Sequence, residues 1–331
     1  MRAFEKSFPQ AAEPAKLQQT LGLFPKSAVA VLLLLFLGCH EKATQPVPDL
    51  SAKFDATNAF RHVEQLVAIG PRNSDTPAIE KARQYLESQL IAAGLDVEFQ
   101  VFEDATPQGR KKFVNLIAYP KWRGRDRIVF GSHYDTKWLP GINFVGANDS
   151  GSSTGLLLEL ARVLSQIPFD PTPCFIFFDG EESFGEWSAS NGLFGSRYLV
   201  RSWKQRGDLY RVRAMILADM VGDKNLLIEA PPHSAPSLVK AIFDSSAELG
   251  CRSHFGYGAT DILDDHVPFM AAGIPTIDLI DFDFGSAPHR NDYWHTDQDT
   301  LDKISPQSLD IVGRTILKAL PKIVESTARS K

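Results

Sequence analysis

Residues 175–182 read Phe-Ile-Phe-Phe-Asp-Gly-Glu-Glu. Cys174 to Phe178 make an apolar run too short for a helix, and past Asp179 and Gly180 two glutamates follow. A short run of this kind, without polar alternation, fits a strand covered on both faces, as in the middle of a parallel sheet. The pattern recurs. Residues 128–131 form an apolar run leading into His133, and residues 214–218 form another leading into Asp219. Residues 276–280 read as a fourth strand. Helical patterns lie between them, so the fold class is α/β: a single domain whose central, mostly parallel mixed β-sheet is flanked by helices. His133, Glu181, Glu182 and Asp219 then all fall at or just past the carboxyl ends of strands, where open α/β sheets bind their ligands.

The remaining elements are read outward from this centre. A helical pattern over 54–69 stops at Gly70-Pro71. A second helix starts after Thr76 with Pro77 in its first position, buries Ile79, Ala82, Leu86 and Leu90, and closes at Gly94. Strands are expected at 97–102 and 113–118. Further helices are expected just after Asp149-Ser150, carrying Leu156, Leu157, Leu160 and Leu164, then at 236–249 and at 306–325.

The 331-residue chain carries a formal charge of −5. Its densest basic stretch, Arg110 to Lys112 and then Lys121, Arg123, Arg125 and Arg127, brackets a strand and reads as a solvated face; no nucleic-acid motif accompanies it. The N-terminus reads differently from the rest. Lys26 precedes ten consecutive apolar residues, 28–37, followed by Gly38-Cys39. That run suits a signal-peptide core better than a membrane span. Leu-Phe-Leu-Gly-Cys resembles a bacterial lipobox, with Cys39 as the lipidated residue; an uncleaved N-terminal anchor is the other reading. Both export the domain, to a periplasmic or cell-surface location on a bacterial membrane. The expected organisation is therefore 1–38 as signal peptide, 39–52 as a polar, Pro-containing tether, and 53–331 as the catalytic domain. Without Cys39, only Cys174 and Cys251 remain, and no structural disulfide is expected.

Four short segments carry the chemistry: His-Tyr-Asp-Thr-Lys at 133–137, Gly-Ala-Asn-Asp-Ser-Gly at 146–151, Asp-Gly-Glu-Glu at 179–182 and Tyr-Trp-His-Thr at 293–296. Imidazole mixed with carboxylates suits a divalent ion such as zinc. Adjacent Glu181 and Glu182 cannot point the same way in near-extended chain. One can hold a metal while the other faces substrate, as metal-assisted acyl chemistry needs. Asp149 at a helix start could equally be an ordinary N-cap, and His295 a satisfied core histidine. His40, His62, His233, His254 and His289 have no partner pattern.

These segments, with FFDGEESFGEW at 177–187, LFGSRYL at 193–199, ADMVGD at 218–223, DDHVPF at 264–269 and GIPTIDLI at 273–280, resemble the zinc-dependent aminopeptidase fold. More narrowly, they resemble its glutaminyl-peptide cyclotransferase (glutaminyl cyclase) branch, from about residue 54 to the C-terminus. The resemblance implies one zinc per chain on Asp149, Glu182 and His295. It implies Glu181 as general base and acid, with Asp219 and Asp264 in its acidic network. Trp187 and Trp294 would wall the substrate pocket, with Lys137 at its rim. Two indoles make an apolar cup for a glutamine side chain, and clustered carboxylates raise one another's pKa. The implied reaction turns N-terminal glutamine of peptides or proteins into pyroglutamate and releases ammonia. Ser132 and the stretch 151–154 lack the cysteines that pair in the animal enzymes, and DFGSAPHRND at 283–292 differs from their aromatic-containing loop.

Two other readings stay open. In a two-zinc aminopeptidase of the same fold, His133 and Asp219 would bind a second metal with Asp149 bridging. A metal-free binding or receptor domain would need neither glutamate.

Overall fold

The computed structural model describes residues 47–188 and 190–328. The signal-peptide and lipidation readings, Cys39 among them, lie outside these residues. Among the described residues, eight strands form one sheet in the order β1-β2-β4-β3-β5-β8-β6-β7. They are β1 (Leu95–Thr106), β2 (Gly109–Pro120), β3 (Arg127–His133), β4 (Thr172–Phe178), β5 (Val212–Asp219), β6 (Ile228–Ala230), β7 (Phe255–Tyr257) and β8 (Thr276–Ile280). The centre β4-β3-β5-β8 is parallel. The β1–β2 hairpin joins it antiparallel through β4, and β6 pairs antiparallel with β8. The sheet is thus mixed, with a parallel middle.

Among the described residues, seven α-helices flank it: α1 (Ala56–Ile69), α2 (Pro77–Ala92), α3 (Ser153–Leu164), α4 (Phe194–Arg206), α5 (Pro236–Glu248), α6 (His266–Ala271) and α7 (Pro306–Ser326). The strands are buried on both faces because their alternate residues enter two different cores. Phe175 and Phe177 of β4, Phe130 of β3 and Ile216 of β5 pack with α1, α2, α3, α5 and α7. Ile176 and Phe178, Val129, and Met215 and Leu217 point the other way, onto Leu199 and Trp203 of α4 and Phe269 of α6. Helix starts follow the capping rules: Asp55 and Thr76 accept from the amides of Asn58 and Ile79, and Ser305 from Ser308.

Several elements differ from the sequence reading. The β1–β2 hairpin runs much further than 97–102 and 113–118, because Glu103 and Asp104 face Lys112 and Lys111 across it, and opposite charges extend the pairing. That hairpin absorbs part of the basic stretch. Helix α4 has no counterpart in the expectations. The tether's last residues are also not free: Val47 and Leu50 are 8% and 3% exposed and join the main core. Asp49 accepts from the Ser51 amide and from Lys318 Nζ on α7. The packed region therefore begins by Val47, six residues before the expected boundary at 53. A chain starting at Ser51 is expected to melt below one starting at Gln45, since removing Leu50 alone is a loss of the ~2–5 kcal/mol type. Differential scanning calorimetry of the two chains measures this; equal melting temperatures would contradict the packing. Cys174 and Cys251 are both free thiols. Among the described residues, no helix is long and apolar enough to cross a membrane.

Candidate metal and acid–base site

Because β3, β4 and β5 are parallel neighbours, their carboxyl ends open onto one edge of the sheet. His133 ends β3 and Asp219 ends β5. Glu181 and Glu182 follow β4 after a turn at Gly180, whose φ is +75°. Asp149 reaches the same edge on the segment Ala147–Ser152, just before α3, and His295 arrives from the loop after β8.

Two groups of ligand atoms form there: Asp149, Glu182 and His295, and His133, Asp149 and Asp219. Within each group the atoms lie within 4.8 Å of one another, and Asp149 belongs to both. His295 Nε2 lies 3.2 Å from Glu182 Oε1 and 3.3 Å from Asp149 Oδ2. His133 Nε2 lies 3.1 Å from Asp149 Oδ1 and 3.2 Å from Asp219 Oδ1. Two carboxylates thus converge on one imidazole nitrogen in each group. A proton there bridges acids that a divalent cation would bridge more strongly, and the donor set fits zinc. Burial works against the charge on His295, but Glu182 and Asp149 outweigh it and raise the imidazole to about 9.

The supporting residues hold the backbone rather than the ion. Asp135 accepts from the amide of Glu181 at 3.2 Å and of Glu182 at 3.3 Å, and its carboxylate also lies 3.4 Å from His133 Nδ1. Asp299 accepts from the amides of Asn148 at 2.7 Å and Asp149 at 3.0 Å. Buried Arg72 donates to the carbonyls of Tyr134, Val145 and Gly146. Asn191 closes the 184–191 loop by accepting from the Phe184 amide and donating to the carbonyls of Phe184 and Glu186, which fixes the segment carrying Trp187. None of these four was singled out from sequence. Asp135 alone had a signal, two residues after His133 on the same strand end.

A cavity of about 340 Å³ opens over the site. Glu181, Glu182, Asp149, Asp219, Asp264 and His295 line its polar part; Trp187, Leu263, Ile280, Phe282 and Trp294 line its apolar part. Trp294 stacks on His295 with ring centroids 3.8 Å apart and meets Phe282 edge-on at 5.0 Å. It is both wall and support for the imidazole. Trp187 is 41% exposed at the mouth. Lys137 is not among the lining residues. Its Nζ donates to Ser183 Oγ at 2.6 Å and to Glu182 Oε2 at 3.4 Å, so it braces Glu182 from the side.

Burial, and then the charges of Asp264, Glu182 and Asp265, push the Glu181 carboxyl well above its ordinary range, against the pull of His133. Asp264 is raised in the same way, by burial and then by Asp278, Asp219 and Asp265. Asp264 Oδ2 and both oxygens of Asp265 and of Asp278 find no hydrogen-bond partner among the described residues. Asp219 and Asp264 accordingly sit in one buried acidic group beneath Glu181. Asp265 and Asp278 enlarge it beyond the sequence reading. Asp265 was visible in the Asp-Asp-His run, whereas Asp278 was hidden inside an apolar strand.

The description "Peptidase family M28" matches residues 115–320. A glutaminyl-peptide cyclotransferase of Dictyostelium discoideum is 30% identical over 298 residues, covering 75% of this chain and 80% of that one. A glutaminyl cyclase from an Acidobacteriales bacterium superimposes with a TM-score of 0.77 at 37% identity, covering 82% of this chain and 96% of that structure. A structure described as a leucine aminopeptidase precursor, from Bacteroides thetaiotaomicron, superimposes with a TM-score of 0.72 at 30% identity, covering 82% of this chain and 97% of that one. The chain belongs to peptidase family M28 and, within it, to the glutaminyl-peptide cyclotransferases.

Proposed function

We propose that this protein is a glutaminyl-peptide cyclotransferase that closes the N-terminal glutamine of peptides or proteins to pyroglutamate. The observation that carries the reading is Glu181, half-buried, proton-avid and lining the same cavity as the Asp149–Glu182–His295 group and two indoles. Asp149, Glu182 and His295 would hold zinc. When bound, the ion would polarise the γ-carbonyl of the substrate glutamine. The substrate's α-amine attacks Cδ, the carbon of that side-chain carbonyl, so a C–N bond forms within one residue. Glu181 takes the proton from that amine. It then delivers the proton to the departing side-chain nitrogen as the C–N bond to it breaks and ammonia leaves. Trp187 and Trp294 hold the glutamine side chain folded toward its own amine, which is the positioning part of the rate gain. Asp219 and Asp264 keep the proton affinity of Glu181 high. Lys137 serves the site by bracing Glu182.

The second reading, a two-metal aminopeptidase, draws on the His133–Asp149–Asp219 group and on the aminopeptidase-named neighbour. The expected result is one zinc per chain after mild dialysis, unchanged in number by His133→Ala. Two equivalents by metal analysis, the second lost on His133→Ala, would move the assignment to the aminopeptidase.

Export and anchoring belong to the same proposal. The apolar run at 28–37 and Gly38-Cys39 support a lipoprotein held on a bacterial membrane through Cys39. Cys39→Ser expressed in a bacterial host should lose metabolic labelling with a fatty acid; persistent labelling would rule out the lipobox.

A further inference from the structure

We infer that Asp261 makes this site selective for peptides carrying Arg or Lys just after the N-terminal glutamine, an inference that rests on the cyclotransferase reading. Six of the residues lining the cavity are carboxylates: Asp149, Glu181, Glu182, Asp219 and Asp264, with Asp261 the sixth. Among the described residues lining it, His295 is the only one able to carry positive charge. Glu181 and Asp264 favour their protonated forms, and a divalent ion on Asp149, Glu182 and His295 would offset the charges of those two carboxylates, so the exposed carboxylate of Asp261 carries the negative charge at the entrance. Low-dielectric walls around such a cleft focus the potential on an entering ligand.

Asp261 differs from the other five in place and in bonding. Its side chain is 51% exposed, and its one hydrogen bond among the described residues, 2.5 Å from Oδ1 to His233 Nδ1, leaves Oδ2 free to accept. It stands three residues before Asp264 on the same loop, a reach of at most ~11 Å along the chain. Asp264 belongs to the acidic group beneath Glu181, where the glutamine reacts. A peptide covers the same distance in two or three residues, so the second or third residue of the substrate arrives beside Asp261.

The surroundings suit a long cationic side chain. Leu263, 55% exposed, and Trp187, 41% exposed, line the same cavity. An Arg or Lys stem can lie along such apolar surface while its charged head stays in water. An indole face also attracts the cation itself. Acidic residues at the same substrate positions meet repulsion from Asp261.

The test compares kcat/KM for three matched peptides, Gln-Arg-Ala, Gln-Ala-Ala and Gln-Glu-Ala, on one preparation of the zinc-loaded protein at low ionic strength. The arginine peptide is expected to exceed the glutamate peptide by about three- to tenfold, the range of a half-exposed ion pair gained against one repelled. Salt at 0.5 M should shrink the ratio, because exposed charges are screened. Asp261→Asn should bring the ratio toward one, Asp261→Lys should invert it, and Asp261→Glu should keep it. Each ratio is internal to one protein, so a change in overall rate does not mask it. Equal kcat/KM for the three peptides in the wild type, or an unchanged ratio in Asp261→Asn, would overturn the inference and leave the cyclotransferase reading standing. Absence of pyroglutamate from every peptide would overturn that reading, and this inference with it.

Discussion

Glu181→Gln is expected to keep zinc and substrate binding and to lose turnover by ~10²–10⁴-fold, the usual contribution of a general acid–base group. The amide matches the carboxyl in shape, and the backbone contacts survive: the Glu181 amide still donates to Asp135, and its carbonyl still accepts from the Leu193 amide. The variant cannot take a proton from the attacking amine. The loss should therefore appear in kcat, with KM and zinc content close to those of the wild type. A variant that kept more than about half of kcat would remove Glu181 from the acid–base role. Loss of zinc together with activity would instead make Glu181 a ligand.

The second large effect concerns a residue that touches no substrate. Gly146 has φ +54°, and a Cβ built there would sit 1.9 Å from the carbonyl oxygen of Asp149. Gly146→Ala must therefore displace the very segment that presents the shared ligand. The left-handed conformation adds a cost of roughly 1–2 kcal/mol for a residue with a side chain. The carbonyl of Gly146 also accepts from Arg72 and from the Gly151 amide, so the displacement spreads to both sides of Asp149. The expected outcome is a lower melting temperature and a zinc affinity down ~10–100-fold, as when residues supporting metal ligands are lost. Competition with a chelating dye measures the affinity. Wild-type affinity in a destabilised Gly146→Ala protein would mean that Asp149 is not a ligand.

The parts of this molecule legible in its sequence are those set by strong local physics. The central strands were visible because burial on both faces leaves long apolar runs within them: 174–178 is apolar throughout. The acids were visible because they break those runs at the carboxyl ends, where a parallel sheet gathers them. The less visible parts depend on contacts distant in sequence. Asp299 lies in a polar stretch with no periodicity, yet it caps the Asn148 and Asp149 amides 151 and 150 residues away. Arg72 follows a helix-ending Gly-Pro and is spent on carbonyls beside the site. Helix α4 was hidden by the glycines at 192 and 195 around its start, where Leu193 has φ +53°. Strands β6 and β7 have three residues each, too few to show a period. Lys137 could be placed near the site from its motif, but not on which side of Glu182 it would stand.

The central claim is that this site closes an N-terminal glutamine onto its own amine. Mass spectrometry of a Gln-initiated peptide incubated with the zinc-loaded protein tests it most directly. The account predicts a product lighter by one ammonia, with its N-terminus blocked. A product lighter by one whole residue, with a free amine at its new end, would contradict it.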